Sequence, residues 1–131
     1  MIDLRYTLAV VDDHLLFRST VSRYLRTLGF DVAIEAENGM QLLRILDTCG
    51  RIPDACLLDI EMPLMDGVAT CCVLQERYPQ VKVIALTLSQ DAGKRERIMQ
   101  AGASRVVFKG IDAGQLKQIL YDKVLAKHAA I

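Results

Sequence analysis

The chain has 131 residues, the size of one domain and enough to bury a sizeable core. Its 16 Lys and Arg residues balance 16 Asp and Glu residues, which excludes a surface built mainly to bind nucleic-acid phosphates. Apolar residues make up 52% of the chain, so intrinsic disorder is excluded. Because the sequence also contains no apolar run of membrane-spanning length and no signal segment, we expect one cytoplasmic domain without membrane contact.

Five short apolar runs predict five β-strands. Most of them are almost continuously apolar, which is typical of strands buried on both faces of a parallel sheet. The predicted strands cover residues 6–11, 31–36, 55–58, 81–86 and 105–108.

Segments with helical spacing of apolar residues follow the five predicted strands. The second and third predicted helices begin near Gly39 and Asp66, and the fifth begins after Asp112, a good N-cap. The first four end at or before a helix-stopping residue, and these residues are Gly29, Gly50, Pro79 and Gly102. The apolar face of the fifth helix is formed by Leu116, Ile119, Leu120 and Val124.

This alternation predicts an α/β protein, a flavodoxin-like (βα)5 three-layer sandwich. Right-handed crossovers leave few topologies, and five strands fit a parallel sheet of order 2-1-3-4-5. In such folds ligands bind beyond the carboxyl ends of the strands, so the residues that follow each strand are the candidates for a functional site.

The four cysteines give no sign of a metal site or a disulfide framework. Cys49, Cys56, Cys71 and Cys72 have no metal-ligand spacing, and neither histidine lies near them in the sequence. We interpret Cys56 and one of Cys71 and Cys72 as small buried apolar residues in a reducing compartment.

Polar residues of complementary chemistry follow four of the five predicted strands. Asp12 and Asp13 follow the first strand, Asp59 the third, Thr87 the fourth and Lys109 the fifth. Taken singly, each of these residues is an ordinary turn, cap or loop residue. Because parallel strands deliver their carboxyl ends to one edge of the sheet, we expect all five side chains to form one site.

The three carboxylates of this predicted site would repel one another unless a cation lay among them. Oxygen ligands suit Mg²⁺, or alternatively Mn²⁺, better than zinc. A carboxylate can also act as a nucleophile toward phosphorus, and Asp59 is the best placed because its strand is central. Lys109 and Thr87 would then neutralise charge on the transferred phosphoryl group.

Several motifs carry a resemblance to a known family. They read VDDHLLFR at 11–18, LLDIEMPLMDG at 57–67, IALT at 84–87 and AGA at 101–103, and Lys109 follows. In this order they resemble the receiver domain of two-component response regulators, over almost the whole chain. The first motif is most similar to the NarL/LuxR-type subgroup.

The resemblance implies a metal site and a phosphoacceptor. Asp59 would take a phosphoryl group from a histidine kinase or a phosphotransfer protein and would help to bind Mg²⁺. Asp13 would ligate the ion directly, Asp12 largely through water, and Glu61 through its backbone carbonyl. By the same resemblance, the hydroxyl of Thr87 and the ammonium of Lys109 would contact the phosphoryl group.

The resemblance also implies an output. Residues 1–131 would form a receiver whose output domain is absent or removed, and DNA would be bound only through that missing domain. Such a receiver is not an enzyme beyond catalysing its own phosphorylation and dephosphorylation. A homodimer through helix 4, strand 5 and helix 5 is a further expectation, while the basic residues at 94–97 are interpreted as a solvated helix face.

Three positions depart from the family pattern. Gly110 stands where proline usually follows the lysine, and because a cis bond to a non-proline residue is costly we expect a trans Lys109–Gly110 bond. Val106 replaces the usual aromatic residue, and the bulky Leu88 follows Thr87 and is expected to narrow access to Asp59. These departures leave open, as an alternative, a degenerate or stand-alone receiver that acts by protein–protein interaction, although the complete set of site residues argues against a degenerate one.

Two further classes of protein fit the sequence less well. A Mg²⁺-dependent phosphatase would use Glu61 as a second carboxylate two positions beyond Asp59, but the chain has no room for a cap domain. A dinucleotide-binding protein is disfavoured because no glycine-rich G-x-G-x-x-G motif follows the first strand.

Overall fold

The computed structural model describes residues 6–122, in which five strands alternate with five helices. The elements in chain order are β1 (Thr7–Val11), α1 (Leu15–Thr27), β2 (Asp31–Ala36), α2 (Gly39–Cys49), β3 (Ala55–Asp59), α3 (Gly67–Arg77), β4 (Lys82–Thr87), α4 (Ala92–Gln100), β5 (Arg105–Phe108) and α5 (Ala113–Leu120).

The strands form one parallel sheet of order β2-β1-β3-β4-β5, which confirms the predicted topology. Every residue of β1 and β3 is buried, as the almost continuous apolar runs predict. Buried and exposed side chains alternate along β2, which lies at one edge of the sheet. The central strands β1, β3 and β4 therefore give the site its rigid base.

Two separate apolar layers cover the two faces of the sheet. Alternate strand residues point to opposite faces, so neighbours such as Leu57 and Leu58 belong to different layers. One face packs against α1 and α5, with Leu25, Leu116 and Leu120. The other face packs against α2, α3 and α4, with Leu42, Leu74 and Ile98.

The helix boundaries follow from local side-chain chemistry. Each helix is preceded by an N-cap residue whose side chain accepts a hydrogen bond from a backbone N–H of the first turn, and these residues are His14, Asn38, Asp66, Asp91 and Asp112. Three of the predicted stop residues adopt the positive φ that favours glycine, at 97° for Gly29, 68° for Gly50 and 116° for Gly102. Since other residues cap α1 and α4, the side chains of Asp13 and Thr87 are not used as caps.

The third and fourth strands end one residue later than the sequence predicts. Asp59 and Thr87 are the last residues of β3 and β4 rather than the residues that follow them. The reason is that the sheet ladder continues past them, because Ile60 N–H donates to the carbonyl of Leu86 at 3.0 Å and Lys109 N–H donates to the carbonyl of Thr87 at 2.8 Å. Both functional candidates are thereby anchored in the sheet itself.

The cysteine interpretation is confirmed in its main point. Cys56 and Cys71 are buried, Cys72 is exposed, and all three are free thiols. Burial raises the pKa of the Cys56 and Cys71 thiols. The side chain of Cys49 and the predicted apolar position Val124 lie outside the described residues. Within 6–122, no helix has the length and apolar character needed to cross a bilayer.

Candidate functional site

Three carboxylates converge at the carboxyl edge of the sheet. Asp12 and Asp13 follow β1 and Asp59 ends β3, which is the neighbour of β1. One oxygen of each side chain lies within 4.8 Å of those of the other two. Asp12 is fully buried and Asp59 is 3% exposed, whereas Asp13 reaches solvent. A cation bound here would contact two buried carboxylates, Asp12 and Asp59, and one solvent-exposed carboxylate, Asp13.

Lys109 extends from the end of β5 into this acidic cluster. Its Nζ lies 2.7 Å from Oδ2 of Asp12 and 3.4 Å from Oδ1 of Asp59. The ammonium also lies 4.8 Å from the centre of the Phe17 ring, a cation–π distance. The contact of Phe17 with the lysine could not be predicted from the sequence, because residue spacing does not relate α1 to β5.

One carboxylate oxygen of the buried Asp12 accepts a hydrogen bond, whereas the other accepts none from the described residues. His14 N–H donates to Oδ1 at 2.8 Å, and Arg18 donates to the Asp12 backbone carbonyl at 2.6 Å. Oδ2 receives no hydrogen bond from the described residues, and Lys109 approaches it as an ion pair without hydrogen-bond geometry. A buried oxygen left in this condition, beside two more carboxylates, fits a hard divalent cation such as Mg²⁺.

The acidity of Asp59 reflects its surroundings. Burial, first, and the nearby charge of Asp12, second, raise its pKa from 3.8 to about 7. The ammonium of Lys109 and the backbone N–H of Glu61, which donates to Oδ1 at 3.1 Å, act in the opposite direction. Without a bound cation, the Asp59 carboxyl is therefore partly protonated near neutral pH, and cation binding would favour the ionised, nucleophilic form.

The hydroxyl of Thr87 lies at the same edge of the sheet and is hydrogen-bonded to the backbone of the loop that follows β4. Thr87 is 4% exposed, and its Oγ1 accepts a hydrogen bond of 2.9 Å from the backbone N–H of Ser89. The hydroxyl also donates to the carbonyl of Ser89 at 3.4 Å, and it would have to give up this acceptor in order to donate to a new group beside Asp59. The structure thus places Thr87 at the expected edge in a locally satisfied state.

Glu61 connects the cluster to α4. Its backbone N–H bonds Asp59, while its side-chain Oε2 lies 2.9 Å from Nζ of Lys94. The sequence interpretation of residues 94–97 as a merely solvated helix face therefore misses one contact. No spacing rule relates Lys94 to Glu61, since the two residues are 33 positions apart and meet only through the fold.

An open pocket of about 380 Å³ gives access to the acidic cluster, and Leu88 and Gly110 form part of its wall. Its other lining residues are Asp13, His14, Phe17, Asp59, Glu61 and Lys109. The side chain of Leu88 is 69% exposed, so solvent reaches this part of the pocket wall. Three other exposed leucines belong to the segments that follow β1 and β3, and they are Leu15, Leu16 and Leu64.

Gly110 and Val106 are two of the positions that depart from the family pattern, and each packs against neighbouring apolar side chains. The Lys109–Gly110 bond is trans, as expected, since the described chain contains no cis peptide bond. Val106 packs against the apolar layer under α2, α3 and α4. A Cβ on Gly110 would approach the Phe108 ring to 2.5 Å, so the missing side chain at 110 makes room for that ring.

Gly67 fixes the loop that follows β3. A Cβ at this position would lie 2.6 Å from both the carbonyl oxygen of Asp59 and the Cα of Ile60. The N–H of Gly67 also donates to the carbonyl of Ile60 at 2.8 Å. The first turn of α3 is therefore in direct contact with the backbone that carries Asp59.

Sequence comparison agrees with this geometry. A family model described as the response regulator receiver domain matches residues 8–121. The chain is 34% identical over 124 residues to the transcriptional regulatory protein DegU of Brevibacillus brevis, covering 94% of this chain and 51% of DegU. It is 29% identical over 113 residues to the chemotaxis protein CheY of Listeria monocytogenes, covering 86% of this chain and 93% of CheY. The chain thus spans about half the length of DegU but nearly all of CheY.

Solved structures show the same fold. The signal receiver domain of NarL from Mycobacterium tuberculosis matches with a TM-score of 0.83 and 26% identity, covering 90% of this chain and 94% of that one. A CheY-like receiver domain protein from Methanospirillum hungatei JF-1 matches with a TM-score of 0.88 at 20% identity, covering 97% and 99% of the two chains. The second likeness concerns the fold alone.

Proposed function

Because this chain belongs to the response regulator receiver domain family, we propose that Asp59 is the residue at which it accepts a phosphoryl group in a two-component phosphorelay. Likeness to DegU, GacA and NarL places it in the NarL/LuxR-type subgroup. Receiver domains are regulatory phosphoacceptors that interact with histidine kinases or phosphotransfer proteins. The observation that carries the proposal for Asp59 is the convergence of three carboxylates and the Lys109 ammonium on one pocket.

The residues present fit a bound Mg²⁺, with Mn²⁺ as a possible substitute. The side chains of Asp12, Asp13 and Asp59 would hold the ion, together with the backbone carbonyl of Glu61. The ion would supply positive charge for the phosphoryl oxygens and keep Asp59 ionised.

In the proposed reaction an oxygen of Asp59 attacks the phosphorus of the donor. The new phosphorus–oxygen bond forms as the bond between phosphorus and the leaving group breaks, and the leaving group takes the electron pair. Lys109 lies 3.4 Å from the attacking carboxylate and would pair with a phosphoryl oxygen. The Thr87 hydroxyl at the same edge, which donates to the carbonyl of Ser89 at 3.4 Å, would exchange this acceptor for another phosphoryl oxygen.

Phosphorylation would then act as a switch. The phosphoryl group adds about −1.5 to −2 charge and new acceptor oxygens, and a second arrangement of the domain would bind these oxygens better. The partial coverage of DegU supports residues 1–131 as a receiver that controls transcription through a separate DNA-binding output domain. Three free thiols among the described residues support a reducing, cytoplasmic location.

A homodimer through α4, β5 and α5 is part of the same proposal. A groove of about 480 Å³ runs along this face of the domain. It carries Arg95 and Arg105 as well as Asp122, together with the apolar Ile119. Mixed charge around an apolar centre suits contact with a second copy of the same surface.

The direct test uses acetyl phosphate and Mg²⁺ with intact-protein mass spectrometry. We expect the native protein to gain one phosphoryl group and Asp59→Asn to gain none. Asp122→Asn, which removes an exposed carboxylate two residues after α5, is the matched control and should be labelled like the native protein. A mass shift that persists in Asp59→Asn would place the nucleophile elsewhere.

The packing of Val106 into the apolar layer favours a second candidate function. In this alternative the domain binds partners without being phosphorylated, as a degenerate receiver. It requires that no phosphoryl group be gained from acetyl phosphate at saturating Mg²⁺, so the same mass measurement separates the two functions.

A further inference from the structure

The backbone carbonyl of Asp12 has a side-chain partner in place of a strand partner. The ladder between β1 and β2 ends at the pair of Val11 and Ala36, and the N–H of Asp12 donates to the carbonyl of Ala36 at 3.0 Å. The carbonyl of Asp12 lies beyond this last pair, and Nη1 of Arg18 donates to it at 2.6 Å. Because Asp12 is fully buried and a buried carbonyl needs a partner, the guanidinium completes the hydrogen bonding where β1 ends.

This contact acts on the peptide unit that joins Asp12 to Asp13. The carbonyl oxygen of Asp12 belongs to that planar unit, so its orientation also sets the direction in which the chain carries Asp13. Within the same turn, His14 N–H donates to Oδ1 of Asp12 at 2.8 Å. Arg18 therefore holds the backbone group that relates the positions of the two carboxylates.

The Arg18 side chain is itself held in place. It is only 12% exposed, and its Nε lies 3.8 Å from Oε1 of Glu35 on β2. The other oxygen of Glu35 lies 3.3 Å from Nη2 of Arg26, which also donates to the carbonyl of Val32 at 2.9 Å. The carboxylate of Glu35 thus offsets the charge of Arg18 and keeps the guanidinium between α1 and the ends of β1 and β2.

We infer that Arg18 is a positioning residue for the cation site, which orients the Asp12–Asp13 peptide so that both carboxylates can bind one divalent cation. The inference rests on the proposed function in taking these carboxylates as metal ligands. Residues that orient metal ligands by hydrogen bonds contribute about 10- to 100-fold to metal affinity. Arg18 acts in this way through the backbone of the ligands and is not itself a ligand.

The direction of the effect separates positioning from charge. A role limited to charge predicts that Arg18→Met tightens Mg²⁺ binding, because a positive charge leaves the neighbourhood of three carboxylates. A positioning role predicts the opposite, because the ligands lose their relative orientation. Calorimetric titration of Arg18→Met with Mg²⁺ should therefore give a dissociation constant about tenfold above the native value. Arg18→Lys keeps the charge and can donate to the same carbonyl, so it should recover most of the affinity.

Arg26→Met is the matched control for this titration. It removes the same charge from the same partner, Glu35, together with a hydrogen bond to a backbone carbonyl, but that carbonyl belongs to Val32 and not to the site. Its Mg²⁺ affinity should stay native. Where Arg18→Met does not fold, the smaller polar variant Arg18→Gln takes its place with the same expected result.

A second measurement needs no metal. The His14 amide, which bonds the Asp12 carboxylate, should exchange its hydrogen faster in Arg18→Met than in the native protein and at the native rate in Arg26→Met. Unchanged or tighter Mg²⁺ binding by Arg18→Met, or an equal loss of affinity in Arg26→Met, overturns the inference and leaves the proposed function intact. The expected affinities in a protein that gains no phosphoryl group from acetyl phosphate would support the inference and overturn the proposed function.

Discussion

Lys109 places its ammonium 2.7 Å from Oδ2 of Asp12, although two strands, β3 and β4, separate their parent strands in the sheet. The lysine side chain is 9% exposed and the aspartate side chain is fully buried. In the absence of a metal ion, this ammonium is the counter-charge nearest to the two buried carboxylates. A bound cation would therefore compete with Lys109 for Asp12 and Asp59, whereas a phosphoryl group would compete with these carboxylates for the ammonium.

Replacement of Lys109 by methionine tests this role. We expect Lys109→Met to lower the metal-free free energy of unfolding by about 2 kcal/mol at pH 7.5, because two buried carboxylates lose their partner. The same variant should bind Mg²⁺ more tightly, because a positive charge has left the cluster, yet it should be labelled more slowly by acetyl phosphate.

Urea unfolding with and without Mg²⁺ measures the first effect, and titration with Mg²⁺ measures the second. Lys117→Met on the exposed face of α5 is the control and should change neither quantity. Weaker Mg²⁺ binding by Lys109→Met would contradict the view that the ammonium occupies the place of a cation.

The raised pKa of Asp59 predicts a particular pH dependence of stability. Between the ordinary value of 3.8 and the folded value of about 7, the folded protein holds a proton that the unfolded chain has lost. The free energy of unfolding contributed by this group therefore falls as the pH rises through that window. Asp59→Asn removes the effect, so its advantage over the native protein should grow by on the order of 2 kcal/mol from pH 5 to pH 8 in metal-free buffer.

Denaturant unfolding of both proteins at the two pH values checks this difference. Addition of Mg²⁺ at pH 8 should stabilise the native protein more than Asp59→Asn, since the ion offsets the cost of the buried charge. If the advantage of Asp59→Asn were the same at both pH values, the carboxyl would titrate as in the unfolded chain.

Gly67→Ala tests the contact between α3 and the end of β3, the strand that carries Asp59. The new Cβ would meet two backbone atoms at 2.6 Å, and backbone atoms cannot rotate away as a side chain can. We expect a loss of about 1–3 kcal/mol in the free energy of unfolding and slower labelling by acetyl phosphate, because the backbone at Asp59 must shift.

Gly114→Ala in the first turn of α5 provides the comparison for this substitution. Its Cβ would meet only a side-chain oxygen of Asp112, at 3.2 Å, and alanine favours the helix. Native labelling kinetics in Gly67→Ala would show that the loop adapts without moving the carboxyl.

Leu88→Ala tests whether this side chain limits access of small molecules to Asp59. Because Leu88 is 69% exposed, the free energy of unfolding should change by less than about 0.5 kcal/mol. The rate of labelling by acetyl phosphate should rise about twofold, since Leu88 lines the mouth of the pocket. Leu64→Ala, an exposed leucine in the loop after β3, should leave the rate unchanged. Equal rates for Leu88→Ala and the native protein would remove any obstructing role for this side chain.

The sequence predicted the sheet order and the candidate site for the same physical reason. Parallel strands joined by right-handed crossovers leave few arrangements, and each arrangement carries the strand ends to a common edge. Asp12, Asp59 and Lys109 could therefore be placed together without any distance being known.

Contacts between side chains from distant elements could not be predicted in this way. The Phe17 ring beside Lys109 and the Lys94 ammonium beside Glu61 depend on helix orientation and on rotamers, which apolar periodicity does not encode. The ends of β3 and β4 were also missed by one residue, because polar residues at a strand end look like the start of a loop.

Asp59 closes a strand that is hydrogen-bonded to neighbours on both sides, whereas Asp13, Glu61 and Ser89 belong to connecting segments. Because β3 is held on both sides, movement of the strand itself would do little to accommodate a group added to this carboxyl. Any rearrangement that accommodates a new group on Asp59 would therefore involve the connecting segments that carry Asp13, Glu61 and Ser89. With β3 held in place and the connecting segments adjusting around it, this small domain would convert the formation of one bond into a change of surface shape that another protein can recognise.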